Sequence, residues 1–291
     1  MSDVKCVVDC QNILGEGPAW SVDEQRLYWV DIEKSELRCY DPATGDSKVW
    51  KTPERVGSFA FREPGGLLVA FESGLDFWEP ASGQPRRIQS FEPDLTTTRT
   101  NDGRCDRQGR FIVGGMNEAD TGDPISNVYR LDHDLRSHKI ISNVTCANST
   151  CFSPDGMVMY FADTPTGQIW AYDYDADTGA VANRRVFADF SDQPGLPDGS
   201  IVDAEGFLWN AQWNGYRVVR YRPDGTIDRI VDIPVMNPTC VAFGGKDLDV
   251  LYVTTARYLM TPEQIEAEPL SGGLFAVKVD VQGLNEPKFS G

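Results

Sequence analysis

Short apolar runs rich in Val, Ile, Tyr, Phe and Trp alternate along the chain with clusters of turn residues. LYWVDI, LLVAF, FIVGG, VMYFAD, FLWNAQ and DVLYVTT are each bounded by a turn-forming segment such as SVDEQ, EPGG, DRQG, SPDG, DAEG or GGKD. Runs this short, bounded this way and enriched in β-branched and aromatic residues, predict strands joined by tight turns. One segment departs from that rhythm. TPEQIEAE, residues 261–268, predicts a helical turn with Thr261 as N-cap and Pro262 at the first helical position. Nothing in the pattern marks a linker between domains.

The alternation is a repeat. EGPAWS from 16, GSFAFR from 57, NDGRCD from 101, NSTCFS from 148, DGSIVD from 198 and TCVAFG from 239 each open a strand, turn, strand unit, at intervals of 41, 44, 47, 50 and 41 residues. Periods of about 40–50 residues are those of propeller blades. A single small antiparallel sheet cannot bury its own faces, so such units stack radially and supply one another's core. The expected fold is all-β, a six-bladed propeller forming one domain over residues 1–291. Because VKCVVD (4–9) precedes the first unit and LFAVKVDV follows the last, the N-terminal strand is expected to join the final blade and close the ring.

The first residue of each unit falls at the mouth of an innermost strand, so in a closed ring these six positions converge on one end of the central channel. They are Glu16, Gly57, Asn101, Asn148, Asp198 and Thr239. Asn and Asp suit turns for local reasons, but a shared register of Glu, Asn and Asp oxygens is also what a hard or borderline divalent cation requires, and two carboxylates nearly balance its charge. Glu16 lies in LGEGPAW, between two glycines and a proline, which looks built to hold one carboxylate in place.

Charge and composition remove other classes. With 27 Lys and Arg against 44 Asp and Glu the net charge is −17, which repels phosphate backbones and anionic membrane surfaces, so neither nucleic acid nor membrane is expected as a partner. There is no basic leader followed by an apolar run, and no apolar stretch of about 18 residues, so the expectation is a cytoplasmic monomer. The seven cysteines show no paired CxxC spacing and read as reduced, partly buried small hydrophobes. The only histidines, His133 and His138, lie in LDHDLRSHK, an expected outer hairpin, which leaves a catalytic triad or a histidine-based zinc site without its parts. Trp29, Trp78, Trp170, Trp209 and Trp213 read as blade core, with Trp213 in AQWNGYR also placed to line a pocket.

LGEGPAW with LYWVDI, RTNDGRCDRQGR, NSTCFSPDGMVMYFADT, LPDGSIVDAEGFLWNA and CVAFGGKDLDVLYVTTAR, in that order, resemble the SMP-30/gluconolactonase/regucalcin family over essentially the whole chain. TTARYLMTPEQIEAEPLSGGLFAV is most similar to its bacterial sugar lactonases, including xylonolactonases. The resemblance implies a six-bladed propeller that holds one divalent ion (Fe²⁺, Zn²⁺, Mn²⁺, Ca²⁺ or Mg²⁺) and hydrolyses aldonolactones, such as xylonolactone or gluconolactone, to aldonic acids. Carried over to matching positions, it implies metal ligands at Glu16, Asn148 and Asp198 and sugar contacts from Arg99 and Asn101 of RTNDG. A further acidic sugar contact falls in GMNEADTGDP and is assigned to Glu118. One departure bears on the ion: the family's usual Asn-Gly is here Asn148-Ser149.

These residue types suit ester hydrolysis. Negative charge builds on the lactone carbonyl oxygen, where a cation stabilises it. Asp198 could accept the proton of the attacking water or serve as a ligand only. Arg99 offers a planar fork of donors for sugar hydroxyls and the product carboxylate, unless it is spent in an ion pair. The alternative from another class is a non-catalytic calcium-binding regulatory propeller. A calcium store favours six to eight oxygens, whereas three protein ligands leave positions open for water and substrate.

Overall fold

In a computed structural model, which describes residues 3–80 and 83–291, six four-stranded antiparallel sheets stand around a central channel. Blade 1 runs through Gly15–Ser21, Arg26–Asp31, Glu36–Tyr40 and Ser47–Lys51, from the innermost strand outward. The innermost strands of blades 2 to 6 are Val56–Phe61, Thr98–Cys105, Ala147–Phe152, Leu196–Val202 and Pro238–Gly244. Blade 6 takes its fourth strand from the other end of the chain: Lys5–Val8 pairs with Leu274–Lys278, with Cys6 opposite Phe275. The ring therefore closes as the sequence led us to expect.

The burial of each strand follows its place in the blade. Second strands such as Leu67–Phe71 are buried at every residue because neighbouring blades cover both faces, whereas fourth strands such as Ser47–Lys51 are mostly exposed. The apolar runs visible in the sequence are thus the second strands. The core lies between blades: Trp209 and Val218 of blade 5 pack on Phe243, Leu251 and Phe275 of blade 6, and each such fully buried side chain contributes about 1.5–3 kcal/mol. Trp29 and Trp209 are fully buried and Trp78 nearly so, while Trp170 and Trp213 are half-buried. Helix Pro262–Ala267 carries the expected cap, in which Thr261 and Gln264 satisfy each other's backbone N–H. All seven cysteines are free thiols.

Residues 279–291 form a strap across the end of the channel opposite Glu16. It pairs with the first turns of blades 6 and 5 through Gly283 N to Leu248 O and Ala204 N to Gln282 O, then crosses to blade 2, where Phe289 N donates to Phe61 O at 2.8 Å. Glu286, in mid-crossing, meets Arg104 of blade 3 at 2.8 Å, and the same guanidinium reaches across the channel to Ser200 O of blade 5 at 3.2 Å.

Candidate functional site

Every innermost strand breaks its ladder at the position the repeat singles out. Register shifts fall between Glu16 and Ala19, Val56 and Ser58, Thr100 and Gly103, Asn148 and Cys151, Pro197 and Ser200, and Pro238 and Cys240. A bulge re-aims the side chain it carries, and six in register form a ring of re-aimed side chains at one channel mouth. Backbone crowding dictates two members. At Gly57 a Cβ would lie 2.6 Å from Thr100 O, so no side chain fits; Gly17, after Glu16, adopts φ +53, which glycine takes without strain.

Arg99, Asn101, Asn148 and Asp198 are all buried here, and Glu16 is partly covered. Asn148 Nδ2 donates to Thr164 Oγ1 at 2.8 Å, which fixes the amide so that its oxygen accepts from Asn101 Nδ2 at 3.3 Å. Asn101 also donates to Ala147 O at 2.9 Å and accepts from Arg99 Nη1 at 2.8 Å. Arg99 Nε donates to Glu118 Oε1 at 2.9 Å, and the Nη2 of Arg99 is committed to no protein atom among the described residues. A continuous polar chain therefore links Glu118, Arg99, Asn101 and Asn148. Glu118 is partly exposed, and although burial works to raise its pKa, Arg55 and Arg99 hold it below the usual value.

The carboxylates at the ring are held differently. Burial and the neighbouring Asp102 push the pKa of Glu16 up to about 8. Asp198 is raised well above the ordinary range by burial, then by Glu16 and Asp102. Asp102 is itself raised by burial, although it accepts from Thr150 N at 2.7 Å and Arg104 lies near it. None of the three forms an ion pair among the described residues. Carboxylates drawn out of water that repel one another, with no cationic side chain in direct contact among the described residues, are a site whose chemistry fits a cation. Among the described residues no three His, Cys, Asp or Glu side chains converge closely enough to hold an ion by themselves.

Asp102 was not singled out from the sequence, where NDGRCD opens a blade unit on Asn101; it enters the channel because it shares the bulge with Asn101. Arg55 was also missed, since its partner Glu118 lies 63 residues away on another blade. Ser149, standing where the family's glycine was expected, adopts the left-handed φ of +59. Its hydroxyl donates to Asp198 O at 2.5 Å, and its oxygen accepts from Asn210 Nδ2 at 3.2 Å. Trp213 and Tyr258 pack at the same end of the channel against the cluster containing Leu14 and Ala256. His138 is 53 % exposed beside Asp132 on an outermost strand, far from the ring, as the sequence implied.

A six-bladed propeller with an oxygen-lined channel mouth defines the class. The sequence model of the SMP-30/gluconolactonase/LRE-like region matches residues 14–257, and the chain belongs to that family. It is 42 % identical over 289 residues to an L-arabinolactonase of Azospirillum brasilense, spanning 98 % of this chain and 95 % of that one. To a 6-deoxy-6-sulfogluconolactonase of Pseudomonas putida it is 37 % identical, over 99 % of each chain. The crystal structure of a calcium-binding protein, regucalcin, from Agrobacterium tumefaciens superposes with a TM-score of 0.94 at 31 % identity, covering 99 % of this chain and 97 % of that one.

Proposed function

We propose that this protein is a sugar lactonase that opens pentono- or hexonolactones to aldonic acids with one divalent ion at the channel mouth. The observation that carries the reading is the pair Glu16 and Asp198, mutually repelling carboxylates that form no ion pair among the described residues, beside the donor and acceptor chain of Arg99, Asn101 and Asn148. The lactonase names of relatives at 42 % and 37 % identity support the reaction class.

Glu16, Asn148 and Asp198 would hold the ion. When bound, a divalent cation would keep both carboxylates ionised and stabilise the negative charge that grows on the lactone carbonyl oxygen. Arg99 Nη2 donates to a sugar hydroxyl, Asn101 fixes the guanidinium plane, and Glu118 accepts from a second hydroxyl. Asp198 accepts one proton of the water that attacks the carbonyl carbon; the ring C–O bond then breaks, that proton passes to the departing alkoxide, and the new carboxyl group releases the other to solvent, leaving the aldonate. The non-catalytic calcium-binding alternative has less support, because a store would have no use for the Arg99 and Glu118 donors and acceptors beside the ion. Acid release from a panel of pentono- and hexonolactones, followed with a pH indicator, tests the reading: at least one lactone is hydrolysed well above its spontaneous rate, and inertness toward all of them refutes it.

A further inference from the structure

The carboxylates that end the second strands of blades 1 and 4 are used in the same way. Asp31, last residue of Arg26–Asp31, accepts from Ile13 N at 3.0 Å through one oxygen and from Leu14 N at 3.1 Å through the other; it also meets Lys34 N at 3.3 Å and Lys34 Nζ at 3.5 Å. Asp163, last residue of Val158–Asp163, accepts from Thr145 N at 3.1 Å and from Cys146 N at 2.8 Å, again one to each oxygen. Both side chains are buried. Each stands 15 residues after a proposed ion ligand, Glu16 or Asn148, and grips the amides two and three residues before that ligand. The residue after each carboxylate completes the hold from the backbone: Ile32 N donates to Leu14 O at 2.9 Å, and Thr164 N to Cys146 O at 3.0 Å.

The other blades show that the fold does not need these acids. Asp31 pairs with Gly15 and Asp163 with Ala147, the residues just before the ring positions; the corresponding second-strand residues in blades 2, 3, 5 and 6 are Phe71, Gly115, Gln212 and Thr255. Blades 2 and 6 make the backbone bond without a carboxylate, Glu72 N to Arg55 O at 2.9 Å and Ala256 N to Asn237 O at 3.0 Å. Burying a carboxylate costs desolvation that a neutral residue avoids, so its recurrence beside two ligands answers a need of those two blades. Blade 5 holds the third ligand at its own carbonyl, where Asp198 O accepts from Ser149 Oγ at 2.5 Å and from Asn210 Nδ2 at 3.1 Å. Bonds from a backbone N–H to a carboxylate are stronger than neutral ones, and these lead directly into the bulges that aim Glu16 and Asn148.

We infer that Asp31 and Asp163 are positioning residues for the ion: they fix the segments leading into Glu16 and Asn148, hold both ligands in place before the ion arrives, and so set its affinity. The inference rests on the ion assignment within the sugar-lactonase reading. Its test is the dissociation constant for Mn²⁺, read from the EPR signal of the free ion, of the chelator-stripped wild-type protein and of Asp31→Asn, Asp163→Asn and Asp203→Asn. Asparagine keeps one acceptor oxygen and turns a donor toward the second backbone N–H. Asp203 is the control for lost stability: equally buried, it holds Glu205 N and Phe207 N, each at 3.0 Å, and pairs with Arg220 at 2.7 Å, all at the opposite end of the channel. Affinity should fall about tenfold or more in the first two variants and less than about threefold in the control. Losses under about threefold in both test variants, or an equal loss in the control, overturn the inference. If the variants do not fold, hydrogen exchange of the wild-type protein decides. Coupling is reciprocal, so saturating Mn²⁺ should slow exchange at Ile13, Leu14, Thr145 and Cys146 more than at Glu205 and Phe207, and equal slowing overturns the inference. A wild-type protein that binds Mn²⁺ but opens no lactone removes the lactonase reading and leaves this inference standing, whereas one that binds no Mn²⁺ overturns it.

Discussion

The hydroxyl of Ser149 in blade 4 is bonded to the carbonyl oxygen of Asp198 in blade 5, at 2.5 Å, across the seam between two innermost strands. Ser149 is fully buried and held at φ +59, a conformation that costs a non-glycine residue about 1–3 kcal/mol unless its surroundings fix it. The bond ties the backbone of one proposed ion ligand to the residue after another, Asn148.

Ser149→Ala should therefore keep the strain, lose the tie and leave a buried carbonyl with one donor fewer, destabilising the protein by about 1–3 kcal/mol. Ser149→Gly should cost less, because glycine relieves the strain. Denaturant unfolding of both variants checks the order; alanine at or above glycine in stability would show that the hydroxyl contributes nothing.

Glu286 offers a second stability test at the opposite end of the channel. Its partner Arg104 is largely buried, so Glu286→Gln leaves a guanidinium with one charge partner fewer and should cost about 3 kcal/mol, as broken buried pairs do. A loss under about 0.5 kcal/mol, read from denaturant midpoints, would mean that Asp102 alone balances Arg104.

The pH dependence of the metal-free protein follows from the raised carboxylates. Glu16 keeps its proton up to about 8 in the folded state but releases it near 4.5 when unfolded. Between those values the folded state binds more protons, so stability falls as pH rises, and the contribution is lost by the time pH passes the folded value; Asp198 acts in the same direction. An ion that binds the deprotonated carboxylates reverses this, so the rise in Tm on adding a divalent ion should be larger at pH 8 than at pH 5. Thermal scans with chelator and with metal at both pH values check it, and an increment independent of pH would contradict the assignment of these carboxylates to the ion.

Asp198→Asn separates base from ligand. The amide keeps an oxygen and nearly the same shape but cannot take a proton, so at saturating metal kcat should fall about 10²-fold or more while the fold survives. A folded, metal-saturated variant with near wild-type kcat would leave Asp198 as a ligand only.

The ring was legible in the sequence to the extent that its causes are local. The turn clusters and the doubly buried second strands announce the blades, and the shared register places Glu16, Asn101, Asn148 and Asp198 at one mouth. The N-cap at Thr261 was equally local. What could not be read depends on pairing between distant segments. The six bulges are properties of two strands, not of one, so the entry of Asp102 into the channel behind Asn101 had no signal in the sequence of its own strand. The clamp of Arg55 on Glu118 joins two blades, and the tie from Ser149 to Asp198 joins two more. Charges and hydroxyls that act across a seam become visible only when the seam closes.

Activity measured against bound metal tests the central claim most directly. Protein stripped with a chelator and titrated with Mn²⁺, Zn²⁺, Fe²⁺, Ca²⁺ or Mg²⁺ should hydrolyse a pentonolactone only as the ion binds. Rates should differ between ions, since an oxygen donor set leaves selection to geometry and availability, and each should saturate at one ion per chain. Full lactone hydrolysis by the metal-free protein would contradict the account.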